Sequence, residues 1–371
     1  MVPWFSLIAV AHGPPAAVLG VASYDDDGPV HVVLTEGLAV RAGSSWRYVC
    51  PTRWGGLALA PFAAGDSDAV WLPGWDDVYR VDSAGSAEPM GDPTHAVTDL
   101  LDLDGTAGVW TIYVGGTSRE IARLGADPLS FSGGPTAWSG VAGADTGPTL
   151  VAARDGLLVQ GVLEVESGVI QETVHFPLVG TGPQWVVDGA VTWLLDRASG
   201  YVGVHRLPDG MLVAQATNSV EGPLRVGDVD VVALDEVLYA LGADGPRRLP
   251  EARPIGCLAS GGAARWACSG DLYALTSDAR LGDPVVALAG LAAPVVADLS
   301  AAETVDCWGE WRTFALDLGI DPGPMPEAGA SGPIVASGGC GAIPGGRGVS
   351  GLFAALIAIL IRRPSRGPVS G

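Results

Sequence analysis

Between residues 16 and 320 the apolar positions come in short runs rather than along a helical stripe. Val, Leu, Trp, Tyr and Thr gather in segments that Gly, Pro and Asp interrupt roughly every eight to twelve residues, the spacing of strands joined by tight turns. One element recurs: a short apolar strand with a turn before it and Asp, Gly or Ala after it. Its copies are 37–40 (GLAV), 77–81 (DVYRV), 120–124 (EIARL), 156–160 (GLLVQ), 201–207 (YVGVHRL), 237–241 (VLYAL) and 271–276 (DLYALT), with starts 34 to 45 residues apart. A period of about 40 with several strands per unit predicts an all-β fold, the β-propeller; leucine-rich repeats are shorter and helical solenoids need helices. Each copy reads as the third strand or so of a four-stranded blade, so seven copies suggest seven blades, with six or eight allowed by the ends. Segments 68–72 and 77–81 form one hairpin, and 230–234 pairs with 237–241 across Asp235-Glu236. A blade cannot cover both faces of its own sheet; stacking around a ring does so and limits free strand edges.

Composition removes several alternatives. The 371 residues carry 41 Asp and Glu against 20 basic residues, a net charge of −21. All the basic residues are Arg, and Asn218 is the single Asn. The negative excess repels a phosphate backbone, so no nucleic-acid partner is expected. Without Lys there is no P-loop, Schiff-base lysine or lysine general base. At 48% apolar residues the chain has the means to build a core.

Both termini read as addresses. Residues 1–11 (MVPWFSLIAVA) are apolar and close on Ala9-Val10-Ala11, the small-x-small pattern of a secretory cleavage site, although no basic segment precedes them. The propeller is expected over 12–320. A Pro/Gly-rich linker then covers 321–350, holding Gly339, Cys340 and Gly341, and a short apolar segment with an Arg-rich tail covers 351–371. The apolar run 352–361 (LFAALIAILI) is shorter than the about 20 residues a membrane helix needs. Arg362 and Arg363 follow it directly, as retention on the cytoplasmic side requires. The linker, Gly-Cys-Gly, apolar run and Arg cluster resemble the myxobacterial-type C-terminal sorting signal. That resemblance implies a sorting protease cutting near Cys340 and display at the surface or outer membrane of a Gram-negative bacterium. Contact with the membrane would run through the C-terminal segment or an anchor.

The cysteines suit the same compartment. With Cys340 assigned to the tail, Cys50, Cys257, Cys268 and Cys307 remain, an even set consistent with disulfides in an exported chain. Four cysteines allow three pairings. A Gly-Gly turn lets Cys257 face Cys268 across a hairpin, and Cys50 with Cys307 would then tie the start of the domain to its end. Zinc is the rival, but there is no C-x-x-C, and His12, His31, His95, His175 and His205 are isolated in sequence.

Further residues carry a second resemblance. His12-Gly13-Pro14-Pro15, Gly37-Leu38, the run from Ser44 to Cys50, and Cys257, Trp266-Ala267-Cys268 and Cys307-x-x-x-Trp311 look like exported myxobacterial propellers. These are distantly similar to sialidase and sortilin repeats, also called BNR or Asp-box repeats. The segment Arg41-Ala42-Gly43-Ser44-Ser45-Trp46 keeps the Gly and Trp of the repeat motif but lacks its Asp.

The repeat class invites sialidase-like hydrolysis, which needs an Arg cluster, a Tyr nucleophile with a Glu partner and an Asp acid/base. Arg41, Arg53, Arg119, Arg225 and Arg280 are available, as are Tyr48, Tyr79, Tyr201, Tyr239 and Tyr273, but no spacing selects a set. No G-x-S-x-G elbow occurs. Asp102 and Asp104, before Gly105, are weak calcium candidates that read better as a turn. Asp25-Asp26-Asp27-Gly28 likewise reads as a solvated turn. No catalytic residue and no cofactor is expected. The leading expectation is a monomeric, non-enzymatic surface propeller binding an extracellular glycan or protein; the alternatives are a secreted sialidase-like glycosidase and a scaffold without ligand.

Overall fold

The computed structural model describes residues 16–55, 63–64, 69–74, 77–90, 96–103, 108–115, 118–123, 140–142, 149–164, 169–180, 183–188, 191–207, 209–242, 244–261 and 263–326. All of them belong to a unit that ends at Gly332. They form seven antiparallel sheets, each with its strands in sequence order, at 18–49, 63–89, 96–123, 140–177, 184–216, 220–248 and 257–286. Six sheets have four strands, and the third has three among the described residues. Every copy of the repeated element falls on the third strand of its sheet, from Leu38–Ala42 in the first to Asp271–Leu275 in the seventh.

Local chemistry sets the hairpins. Between Val229–Leu234 and Val237–Gly242, Asp235 and Glu236 both take positive φ, 48° and 66°, the two-residue turn whose twist matches paired strands. Within these strands burial does not alternate: Val231, Val232, Ala233 and Leu234 are all buried. Continuous burial means both faces of the sheet are covered. The covering comes from neighbouring sheets. Leu224, Val231, Leu238 and Ala240 of sheet six pack with Ala267 and Leu275 of sheet seven, while Val232 and Leu234, on the other face of sheet six, pack with Trp193 and Val204 of sheet five.

The first strands follow one another in a cycle. Val18–Asp25 lies against Ala63–Ala64, which lies against Ala96–Leu103, and so on through Gly140–Ala142, Gln184–Asp188, Val220–Val226 and Cys257–Gly261. The last of these lies against Val18–Asp25 again. The joint between sheets seven and one is reinforced from the C-terminal side. Ala292 makes a parallel bridge to Arg47, its carbonyl accepting from the Tyr48 amide at 3.0 Å and its amide donating to Trp46 at 2.8 Å. This covers the outer edge of sheet one, which would otherwise present unpaired backbone groups.

One longer helix joins the mostly β architecture. Helix α1, Ala301–Asp317, begins at Ser300, whose side chain accepts from the Glu303 amide at 3.3 Å while the Glu303 carboxylate accepts from the Ser300 amide at 2.9 Å. Its buried face, Cys307, Trp308, Trp311, Phe314 and Ala315, has helical spacing and joins the core shared by sheets one and seven. Tyr48 packs there, its ring centroid 5.1 Å from Phe314 and 5.3 Å from Trp311. Immediately after the helix, Trp311 Nε1 donates to the Pro322 carbonyl at 3.4 Å, so the expected linker begins as an ordered contact. Among the described residues no helix is long and apolar enough to cross a membrane. The expected signal segment 1–11, Gly339, Cys340, Gly341, Arg362 and Arg363 lie outside the described residues.

Candidate functional site

Up-and-down sheets place the turn between second and third strands at the same end as the connection to the next sheet. The structure ties these two features together repeatedly. The Asp235 carboxylate, in such a turn, accepts from the amides of Thr217, Asn218 and Ser219 at 3.1, 2.7 and 3.1 Å. Those three donors, with the Thr217 hydroxyl, hold the Asp235 carboxyl down at about 2. In sheet seven, Asp271 accepts from the Leu288 amide at 2.8 Å. Backbone bonds do the same elsewhere: Leu178 donates to Gly156 and Ile255 to Glu236, both at 2.8 Å. Among the described residues, the turns of sheets four, six and seven at this end are therefore fastened to inter-sheet connections by hydrogen bonds, several of them to carboxylates.

At this rim, between sheets four and five, titratable side chains meet. Asp196, on Val191–Ala198, is fully buried and accepts from the Val179 and Gly180 amides, both at 2.7 Å. Two amide donors are what a buried carboxylate needs to offset lost hydration. The adjacent strand, Tyr201–Arg206, pairs Asp196 with Gly203 and so turns Tyr201, Gly203 and His205 to the face that Asp196 occupies. His205 is 7% exposed. Its Nδ1 lies 3.1 Å from the Gly210 carbonyl, and its Nε2 lies 3.9 Å from Asp196 Oδ2 without a hydrogen-bond partner. Phe176 of sheet four stacks on the imidazole at 5.2 Å. Burial, and then the Asp196 charge, push the Tyr201 phenol up. Below the polar group lie Val151, Leu158, Leu178 and Leu194.

A second titratable group lies under helix α1. Glu310 accepts from the Thr52 amide at 3.2 Å. Burial raises the Glu310 carboxyl, with Asp306 and Glu36 adding to the rise, and burial followed by Asp317 raises Glu36. The Tyr48 hydroxyl beside them is buried without a hydrogen-bond partner.

The sequence candidates separate in space. Cys50 is bonded to Cys307 and Cys257 to Cys268, with Cα atoms 5.3 and 4.8 Å apart. Of the Arg considered for a sialidase cluster, Arg41 pairs with Asp25, Arg53 with Asp298, Arg225 with Asp230 and Arg280 with Asp278. These pairs sit on different sheets and connections, so among the described residues the four do not converge. Arg119 lies on Ser118–Arg123 of sheet three. Asp102 lies on Ala96–Leu103 opposite Val109, in a ladder position, and Asp104 is outside the described residues. Asp26 and Asp27 form the expected exposed hairpin turn, closed by the Asp25–Gly28 pair, and Asp25 also pairs with Arg41. Among the described residues no three His, Cys, Asp or Glu side chains gather as a metal-binding group. The Asp196–His205–Tyr201 grouping escaped sequence reading because its only signal is the cross-strand register of Asp196 with Gly203.

No protein-family model matches the chain, and no curated protein matches its sequence. Among solved structures it is similar to BamB from Moraxella catarrhalis, at 17% identity over 71% of this chain and 81% of that one, with a TM-score of 0.42. It is also similar to the PQQ-bound aldose sugar dehydrogenase of Streptomyces coelicolor, at 14% identity over 63% and 93% of the two chains and a TM-score of 0.36. A third is the dihydro-heme d1 dehydrogenase NirN in complex with DHE, at 10% identity over 72% and 66%, with a TM-score of 0.44. These neighbours are β-propeller proteins, in keeping with the sheet order and cyclic adjacency of this chain. Two of the three are dehydrogenases, which corrects the expectation of a non-enzyme: a missing sequence motif is no ground for denying catalysis to this architecture.

Proposed function

We propose that this chain is an exported seven-bladed propeller that binds an extracellular or envelope partner, a glycan or a protein, through its fastened rim. The observation that carries the reading is the tying of inter-sheet connections to second-to-third-strand turns, as at Asp235 with Thr217–Ser219, and to a strand leading into such a turn, as at Asp196 with Val179–Gly180. Loops held this way lose little freedom when a partner docks, which is the condition for specific binding on a rigid scaffold. Two disulfides among buried cysteines support an oxidising compartment. The C-terminal tail, with Gly339-Cys340-Gly341 and Arg362-Arg363, would be the sorting signal for surface display.

The test is a glycan array together with a pull-down from envelope fractions, using the oxidised full chain and an Asp235→Ala, Asp196→Asn variant with a loosened rim. Selective binding that the variant loses supports the reading. Wild-type protein that captures nothing in either format, or captures equally after loosening, sinks it. Display is checked separately: Cys340→Ala should leave the protein in the inner membrane, and unchanged surface labelling overturns that part.

A further inference from the structure

We propose that Asp196, His205 and Tyr201 form a site for one divalent transition-metal ion of the copper or zinc type, set between sheets four and five. The inference shares Asp196 with the rim-binding reading but does not rest on it. It begins with the imidazole. The Gly210 carbonyl 3.1 Å from His205 Nδ1 can only accept, so Nδ1 is the ring donor and Nε2 is the ring atom left to face Asp196. An Nδ1 anchored on a backbone carbonyl, with Nε2 bare, is how proteins hold a metal-binding imidazole in position. Here Nε2 is buried, has no hydrogen-bond partner, and faces an Asp196 oxygen at 3.9 Å. A lone pair opposite a carboxylate oxygen is a pair of acceptors, and a cation between them satisfies both. With metal–nitrogen and metal–oxygen bonds of about 2.0–2.2 Å, an ion fits that separation at a bent angle.

The third donor is the phenol. A Cβ placed on Gly203 would run into the Tyr201 hydroxyl and would lie 3.1 Å from His205 Nε2. The hydroxyl and the ring nitrogen therefore both lie against Gly203, whose missing side chain makes room for the phenol beside the imidazole. Coordination through the phenol oxygen releases its proton to solvent. The Asp196 oxygens keep their Val179 and Gly180 amide donors, which orient the carboxylate as outer-shell partners do. One imidazole with two oxygen donors favours copper or zinc over calcium and magnesium, which take all-oxygen shells.

The experiment uses the oxidised full chain, stripped with chelator and titrated with Cu²⁺ and Zn²⁺ by calorimetry and visible absorption. Expected are one equivalent bound, a phenolate-to-copper charge-transfer band, and a rise in melting temperature with Zn²⁺. Tyr201→Phe should abolish the band and weaken binding about 10–100-fold, and His205→Gln should weaken it at least as much. If His205→Gln does not fold by circular dichroism, Tyr201→Phe decides alone. No bound ion, a wild type without the band, or a band and affinity unchanged by Tyr201→Phe overturns the site, the last by assigning binding to surface groups such as the exposed His175.

Discussion

Asp235 accepts the Asn218 backbone amide at 2.7 Å, joining the turn of sheet six to the segment that enters it. This carboxylate works as an N-cap does, gathering amides that have no partner in a ladder. Asp235→Ala should lower stability by roughly 0.5–1 kcal/mol, the low end for such caps because the group faces solvent. Its folded-state pKa of about 2 lies below the ordinary 3.8, so the contribution is complete above that ordinary value and lost as pH falls toward 2. Denaturant melts at pH 6 and pH 2.5 check this; an equal wild-type-to-variant gap at both would reject it.

The two disulfides should differ in weight. Cys50–Cys307 spans a sequence separation of 257 and Cys257–Cys268 only 11. Chain-entropy arithmetic assigns about 5.5 kcal/mol to the first and about 3 kcal/mol to the second. Paired Cys→Ser variants, followed by urea unfolding, should rank in that order. The reverse ranking would show that strain or residual structure outweighs loop length.

Helix α1 should dock more firmly in mild acid. Glu36 and Glu310 both have raised carboxyls, chiefly from burial, so the protonated forms suit the folded seam. Their contribution is full below the unfolded carboxylate value and declines as pH rises through the folded one. With Cys50–Cys307 reduced, Trp308 and Trp311 fluorescence should report loosening between mild acid and neutrality, and Glu310→Gln should flatten that profile. A reduced wild type with no pH dependence would contradict the assignment.

Gly37 occupies a turn with φ of 92°, and an added Cβ would lie 2.6 Å from the Val49 carbonyl oxygen. Neither the backbone conformation nor the contact tolerates a side chain. Gly37→Ala should cost about 2–3 kcal/mol, read from the shift in denaturation midpoint. An unshifted midpoint would show that the turn rearranges freely.

The strand framework was legible because each blade repeats one arrangement: the third strand carries the apolar run, and Asp235-Glu236 announces its hairpin. Helix α1 was overlooked although its signals are local. Ser300 and Glu303 make a capping box, and 307, 308, 311, 314 and 315 mark one helical face. A single helix after seven strand repeats is drowned by the dominant period. The Asp196–His205–Tyr201 grouping is different in kind. Asp196 and His205 are neighbours only because Asp196 pairs with Gly203 rather than with an adjacent residue, and a shift of one position would send His205 to the opposite face.

The bridge between Arg47 and Ala292 fixes an order of events. The first sheet is synthesised early, yet the backbone that covers its outer edge and the thiol that pairs with Cys50 arrive only with the last part of the domain. A chain interrupted before Ala292 would carry a bare strand edge and an unmatched cysteine together. Both liabilities end together when Ala292 pairs beside Arg47 and Cys307 meets Cys50, so the seam protects strand edge and thiol in one step.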